Sequence, residues 1–375
     1  MSALFSNVSQ LNWQQVVMWC IGGLLIYLAI RKDMEPTLLL PLGFGAILVN
    51  LPMSGAVTQV YDGIAEIGVI DVLFDAGIAN ELFPLLLFVG IGAMIDFLPL
   101  LTNPKLMIFG AAAQFGIFFT LSLAALFGFD LKDAASIAII GAADGPTSIF
   151  VANYFHSKYI GAIMVAAYSY MALVPVVQPP VIKLLTTKQE RRIRMVYQQR
   201  SVSKITKILF PIAITVITGI VSPRSVALIG FLMFGNLIRE CGVLDSLSET
   251  AQKVLANLVT LFLGITIATK MQAQYFLTAE TLLILGLGLV AFVFDTAGGV
   301  IFAKILNLFL PKDSKINPMI GAAGISAFPM SARVVHKLGR AEDPQNFLLM
   351  PAVGVNVSGQ IASVIAGGLI LNLLG

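Results

Sequence analysis

Charge is scarce in this chain. Asp, Glu, Lys and Arg supply 11% of its 375 residues, against about 25% in soluble domains. Hydrophobic residues supply 58%, and the mean hydropathy is +0.91, so the chain reads as a polytopic membrane protein. Cysteine is nearly absent: Cys20 and Cys241 stand far apart, which excludes a disulfide framework, a zinc ribbon and an iron–sulfur site. The sequence has no nucleotide-binding P-loop, no Ser–His–Asp order and no metal-ligand cluster, so it shows no engine for ATP hydrolysis. It also lacks a biotin-attachment sequence of the Ala-Met-Lys-Met type; Thr269-Lys270-Met271 is not a match. Nothing in the composition calls for a nucleic-acid partner.

Basic residues are absent between Glu35 and Lys105 and crowded elsewhere. Residues 183–207 carry Lys183, Lys188, Arg191, Arg192, Arg194, Arg200, Lys204 and Lys207 against a single acid, Glu190. The positive-inside rule makes this a cytoplasmic loop that sets topology, with docking of a soluble partner as the other use. The first apolar run, 16–30, follows a mildly polar start and not a basic one, which predicts a span and no cleavable signal peptide. Further spans are expected at 37–53, 82–101, 105–127 and 160–182, then at 208–221, 226–238, 254–269, 282–310 and 347–373. The acidic stretch 54–81, with Asp62, Glu66, Asp71, Asp75 and Glu81, is expected to lie at the interface.

Two remaining apolar segments are interrupted. In 137–155, Gly141-Ala-Ala-Asp144-Gly-Pro-Thr-Ser148 places a carboxylate beside a glycine and a proline. A carboxylate at the bilayer centre costs about 2.5–3.5 kcal/mol on insertion scales, and Gly145-Pro146 breaks the helix and frees carbonyls beside it. Broken helices of this kind hold cations in transporters; a kinked helix whose acid faces water is the plainer alternative. In 316–334, the polar groups are Asn317, Ser326, Ser331 and Arg333, between prolines. Asn and Ser oxygens suit Na⁺, with Asp144 as the negative ligand. Asn356, in Val353-Gly-Val-Asn-Val-Ser358-Gly-Gln360, interrupts another apolar run. Arg333 either neutralises Asp144 or awaits an anionic, carboxylate ligand.

Several residues carry duller readings. Ser326, Ser331 and Ser358 are common helix-packing residues, and Tyr168 and Tyr170 are interfacial anchors or interior phenols. His156 and His336 read as loop residues, with proton handling as the alternative. Asp96 and Asp295 read as capping or packing acids.

Ile140-Gly-Ala-Ala143 recurs as Ile320-Gly-Ala-Ala323, and at the same offset His156 meets His336. Val89-Gly-Ile91 likewise resembles Leu263-Gly-Ile265, and Phe44-Gly45 resembles Phe234-Gly235. With the basic loop inside, 137–155 must enter and return on the external side, and 316–334, flanked by Lys312, Lys315, Lys337 and Arg340, on the cytoplasmic side. The expected fold is all-α and polytopic. Inverted repeats of five spans and one re-entrant broken hairpin occupy 1–182 and 208–375, joined by the loop 183–207.

Taken together, the 141–148 motif, Tyr170 twenty-six residues after Asp144, and Asn317…Gly321…Ser326…Arg333 resemble the membrane beta subunits of sodium-pumping, biotin-dependent decarboxylases acting on oxaloacetate, methylmalonyl-CoA or glutaconyl-CoA. The similarity covers essentially the whole chain, and its compactness leans towards the acyl-CoA branch. The resemblance implies an inner-membrane subunit that decarboxylates carboxybiotin, consumes a proton and exports Na⁺. It implies partners: a carboxyltransferase, a biotin carrier that presents carboxybiotin, a small membrane subunit, and other beta subunits in a homo-oligomer, a trimer being one form. By resemblance Asp144 is the sodium-binding aspartate and Asn356 a further sodium ligand. Tyr170 and Ser326 are tied to sodium binding and proton delivery, Asn317 and Gly321 to the polar face of the second motif, and Arg333 meets carboxybiotin. The rival expectation is a secondary sodium-coupled carboxylate transporter without an enzymatic step.

Overall fold

Seven helices among the described residues are long and apolar enough to cross a membrane, and a bent pair adds an eighth crossing. The structure is a computed structural model that describes residues 10–61, 63–195, 201–311 and 314–375; Asp62, Arg200 and Lys312 lie outside these. The first half opens with α1 (Trp13–Lys32), capped by Asn12 and Gln15, and α2 (Pro36–Val49). At about 1.5 Å per residue the 14 residues of α2 span about 21 Å, less than the roughly 30 Å hydrocarbon core. α3 (Leu82–Met94) follows, then α4 (Met107–Ala113) and α5 (Phe115–Leu126), which meet at Gln114.

The acidic stretch is not purely interfacial. Gln59–Tyr61 and Ile64–Glu66 pair as a small antiparallel hairpin. The helical turns from Val69 to Ala79 then form a bent apolar pair with α3 at 61°. The bend falls at Asn80-Glu81, where Glu81 adopts φ 66°; its carboxylate sits at the corner and accepts from Asn153 at 3.1 Å. The charges gather on one arm and the corner, so the pair keeps an apolar average.

α6 (Leu131–Ala138) and α7 (Gly145–Tyr154) are the arms of the first broken segment, and α8 (Ile160–Leu185) leads out of it. The second half comprises α9 (Lys204–Val221), α10 (Val226–Glu240), α11 (Ala256–Ile267), α12 (Ala279–Phe309), the second broken segment ending in α13 (Met330–Glu342), and α14 (Leu349–Leu374).

Both broken segments turn back on themselves. In the first, Ser157 donates to Asp133 at 2.6 Å, which brings the outer ends of the two arms together. In the second, Asn317 before the tip and Asn346 beyond α13 both donate to the Arg191 carbonyl at 2.9 Å. The first foot lies at the start of the 26-residue α8 and the second beyond its end, beside Arg191, so about 39 Å of helix separates them. The first shares its face with Glu81 and the loop around Lys158, Lys270 and Glu280. The second shares its face with the basic segment, through Arg191–Glu342 and Arg194–Asp343 at 2.7 Å each.

Candidate functional site

The first tip is built by its own sequence. α6 tightens into a 3₁₀ turn over Ile139–Ala142, Ala143 takes φ 50°, and Asp144 caps α7. Gly145 and Pro146 occupy the first helical positions, where a missing N–H costs nothing. The carboxylate is 3% exposed. Its Oδ2 accepts from Thr147 Oγ1 at 2.8 Å, Ser363 Oγ at 2.7 Å and Gln360 Nε2 at 3.3 Å, and its Oδ1 from the Thr147 N–H at 3.2 Å. Together these four bonds fix the orientation of the carboxylate.

The second tip is a 3₁₀ turn over Pro318–Gly324 followed by extended Ile325. Side-chain amides from three other places in the chain satisfy its freed carbonyls. Gln178 of α8 donates to Ala322 at 2.8 Å, and Asn356 of α14 to Ala323 at 3.1 Å and Ile325 at 2.7 Å. Gln114, at the α4–α5 break, donates to Gly324 at 3.4 Å. Irregular backbone inside a membrane protein is tolerated where it is satisfied in this way. The tips meet: the Ser326 N–H donates to the Ala142 carbonyl at 2.9 Å.

Asp144, Ser326 and Asn356 therefore converge. Ser326 Oγ donates to Gly359 at 3.1 Å. Asn356 Oδ1 is buried with no partner among the described residues. So is the hydroxyl of Tyr168, whose Cζ lies 2.4 Å from where a Cβ on Gly145 would stand. One carboxylate and two spare neutral oxygens make a donor set suited to a hard monovalent cation.

The other expected site residues lie apart. Arg333 is exposed on α13 and makes no ion pair with Asp144 among the described residues. It faces Glu35, whose carboxyl is raised by burial, with the Arg333 charge opposing. Asn317 spends its amide on the Arg191 and Ile193 carbonyls and its oxygen on the Met319 N–H at 3.0 Å, so it caps the 3₁₀ turn and grips the basic segment. Gly321 is a close-packing residue: a Cβ there would stand 2.0 Å from the Gly299 carbonyl oxygen. Tyr170 donates its hydroxyl to the Leu285 carbonyl and stacks on Phe292.

Gln360, Ser363 and Thr147 were not singled out as partners of Asp144. Asn356, Gln360 and Ser363 stand at i, i+4 and i+7, one helix face, and that spacing was the available signal. Asn before Pro318 was likewise a helix-start signal.

Fold and site define a polytopic helical membrane protein in which two broken segments meet beside the buried carboxylate of Asp144. The sequence matches the family described as the Na⁺-transporting oxaloacetate decarboxylase beta subunit over residues 14–374. It is 48% identical to the glutaconyl-CoA decarboxylase beta subunit of Acidaminococcus fermentans over 97% of this chain and 94% of that one. It is 46% identical to the methylmalonyl-CoA decarboxylase beta subunit of Propionigenium modestum (97% and 96%), and 43% identical to the probable oxaloacetate decarboxylase beta chain of Vibrio cholerae (96% and 95%). The chain belongs to this family of Na⁺-transporting decarboxylase beta subunits.

Proposed function

We propose that this subunit decarboxylates carboxybiotin brought by a biotinylated partner, consumes a proton in doing so, and drives Na⁺ outward across the inner membrane. The observation that carries the reading is Asp144 at the joined tips, with the spare oxygen of Asn356 on the amide that holds the second tip and that of Tyr168 on the ring packed against Gly145. Asp144 and Asn356 hold the transported Na⁺, with the Tyr168 hydroxyl as a third oxygen and Ser326 holding the tips together. Arg333, exposed in the first turn of α13, receives the carboxybiotin anion. Decarboxylation removes that negative charge, which changes the field in which Na⁺ sits. Coupling follows if each ligand prefers one state over the other; tight binding alone shifts nothing.

In the same reading, residues 1–182 and 208–375 are inverted repeats of five spans and a re-entrant hairpin, joined by the cytoplasmic loop 183–207. The two feet at opposite ends of α8 support it. Because the basic segment and the second foot share a face, the positive-inside rule puts both in the cytoplasm, where a carboxyltransferase and a biotin carrier would dock. A small membrane subunit and further beta subunits complete the assembly.

The purified chain, reconstituted in vesicles, is given free carboxybiotin with and without Na⁺, and the measurement is repeated on the co-purified complex. Sodium-stimulated breakdown, lost in Asp144→Asn and Arg333→Ala, is expected. A folded chain that breaks down none, alone or in its complex, but moves a carboxylate with Na⁺ would overturn the enzymatic reading.

A further inference from the structure

A second carboxylate lies inside the protein and is treated very differently from the first. Asp295 is 0% exposed, near the middle of the 31-residue helix α12. Its Oδ1 accepts the Ile117 N–H at 3.1 Å, at the start of α5. That donor is shared, since the same N–H also reaches the Gln114 carbonyl at 3.2 Å. Its Oδ2 has no partner among the described residues. Asp295 makes no ion pair among the described residues.

The groups packed around it offer no counter-charge. α5 presents Gly116, where a Cβ would stand 2.5 Å from Oδ1, and the first tip presents Gly141, where a Cβ would stand 2.8 Å from Oδ2. α8 brings Tyr170 to this helix, stacked on Phe292 with its hydroxyl on Leu285. The second tip brings glycine, Gly321 against Gly299. Asp144 is three residues beyond Gly141, its oxygens already engaged by Thr147, Gln360 and Ser363.

The carboxylate draws on the backbone N–H groups of Gly116 and Ile117, but Oδ2 is left bare with no counter-charge among the described residues; a carboxylate buried in this way takes up a proton. Gln114 Oε1, at the helix break that Asp295 caps, is a second buried acceptor without a donor among the described residues. We infer that Asp295 is a proton-binding site at the tip junction, neutral in this state and distinct from the sodium site at Asp144. Gln114 also reaches the second tip through Gly324, so movement of the tips changes the surroundings of this proton. The protonation assignment rests on the packing alone. Only the proton's use in the transport cycle rests on the function proposed above.

The test is infrared spectroscopy of the complete, reconstituted chain labelled with carbon-13 aspartate at neutral pH. An isotope-sensitive carbonyl band of a neutral carboxylic acid is expected. It should be lost in Asp295→Asn, kept in Asp144→Asn and unmoved by Na⁺. Asn mimics the neutral acid, so Asp295→Asn should fold and bind Na⁺ within about twofold of wild type. Absence of the band from the wild-type chain overturns the assignment whatever the variant does. Loss of the band on adding Na⁺, with one fewer Na⁺ bound by Asp295→Asn, overturns it in favour of a second sodium site. Neither result bears on carboxybiotin breakdown, so the function proposed above stands or falls separately.

Discussion

Arg191 ties the basic segment to the second broken hairpin, and the strength of that tie can be worked out. Its Nε meets Glu342 Oε1 at 2.7 Å, its guanidinium also donates to the Thr186 carbonyl at 2.5 Å, and its own carbonyl receives Asn317 and Asn346. The two side chains are 8% and 18% exposed, so the pair lies between two known regimes. Exposed pairs contribute about 0.2–1 kcal/mol, and breaking a fully buried one costs about 3–5 kcal/mol. A coupling of about 2 kcal/mol between Arg191→Ala and Glu342→Gln is therefore expected from a double-mutant cycle. The readout is reversible denaturation in mixed micelles, with proteolysis of the 183–207 segment reporting local release. Asn317 and Asn346 bind the Arg191 backbone, so the hairpin's foot should loosen and not detach. A coupling below about 0.5 kcal/mol, with unchanged proteolysis, would refute the reasoning.

The same clamp should be acid-sensitive. The Arg191 bond holds the Glu342 carboxyl below its usual range, and Arg194 does the same for Asp343. Their contribution is complete above the unfolded carboxylate values of about 4 and fades as pH falls through the lower folded values. The stability gap between wild type and Glu342→Gln should close in acid, and a gap that widens there would contradict this. The two tyrosines should separate cleanly. Tyr168→Phe removes an unpartnered buried hydroxyl and should weaken Na⁺ binding about fivefold without loss of stability, whereas Tyr170→Phe should cost about 1 kcal/mol of stability and leave Na⁺ affinity alone. Reversed effects in sodium titration and denaturation would sink the assignment. Gly299→Ala places a Cβ 2.0 Å from the Gly321 carbonyl oxygen and should destabilise by about 3 kcal/mol or more; wild-type thermal stability in detergent would show that the contact can relax.

What could be read from the chain follows from how local each signal is. An acid followed by Gly-Pro in an apolar run announces its own break, and Asp144 does cap the helix that starts there. Membrane character and the two broken segments were legible for the same reason. Which phenol faces Asp144 was not. Residues 168 and 170 are about 200° apart around α8, so only packing against Gly145 on one side and Leu285 on the other decides. The amides holding the second tip come from Gln114, Gln178 and Asn356, contacts that no spacing within the tip can reveal. Arg333 and Asp144 lie in the two halves of the chain, and opposite charge in apolar sequence does not imply contact. Here one is exposed and the other buried.

The central claim is that Asp144 at the joined tips binds the transported sodium ion. Equilibrium titration of Na⁺ into the purified chain, wild type against Asp144→Asn, addresses it without any partner subunit. Removing the charge from a buried ion site costs about 2–5 kcal/mol, so affinity should fall about thirtyfold or more. An Asp144→Asn chain that is folded and binds Na⁺ as tightly as wild type would contradict the account.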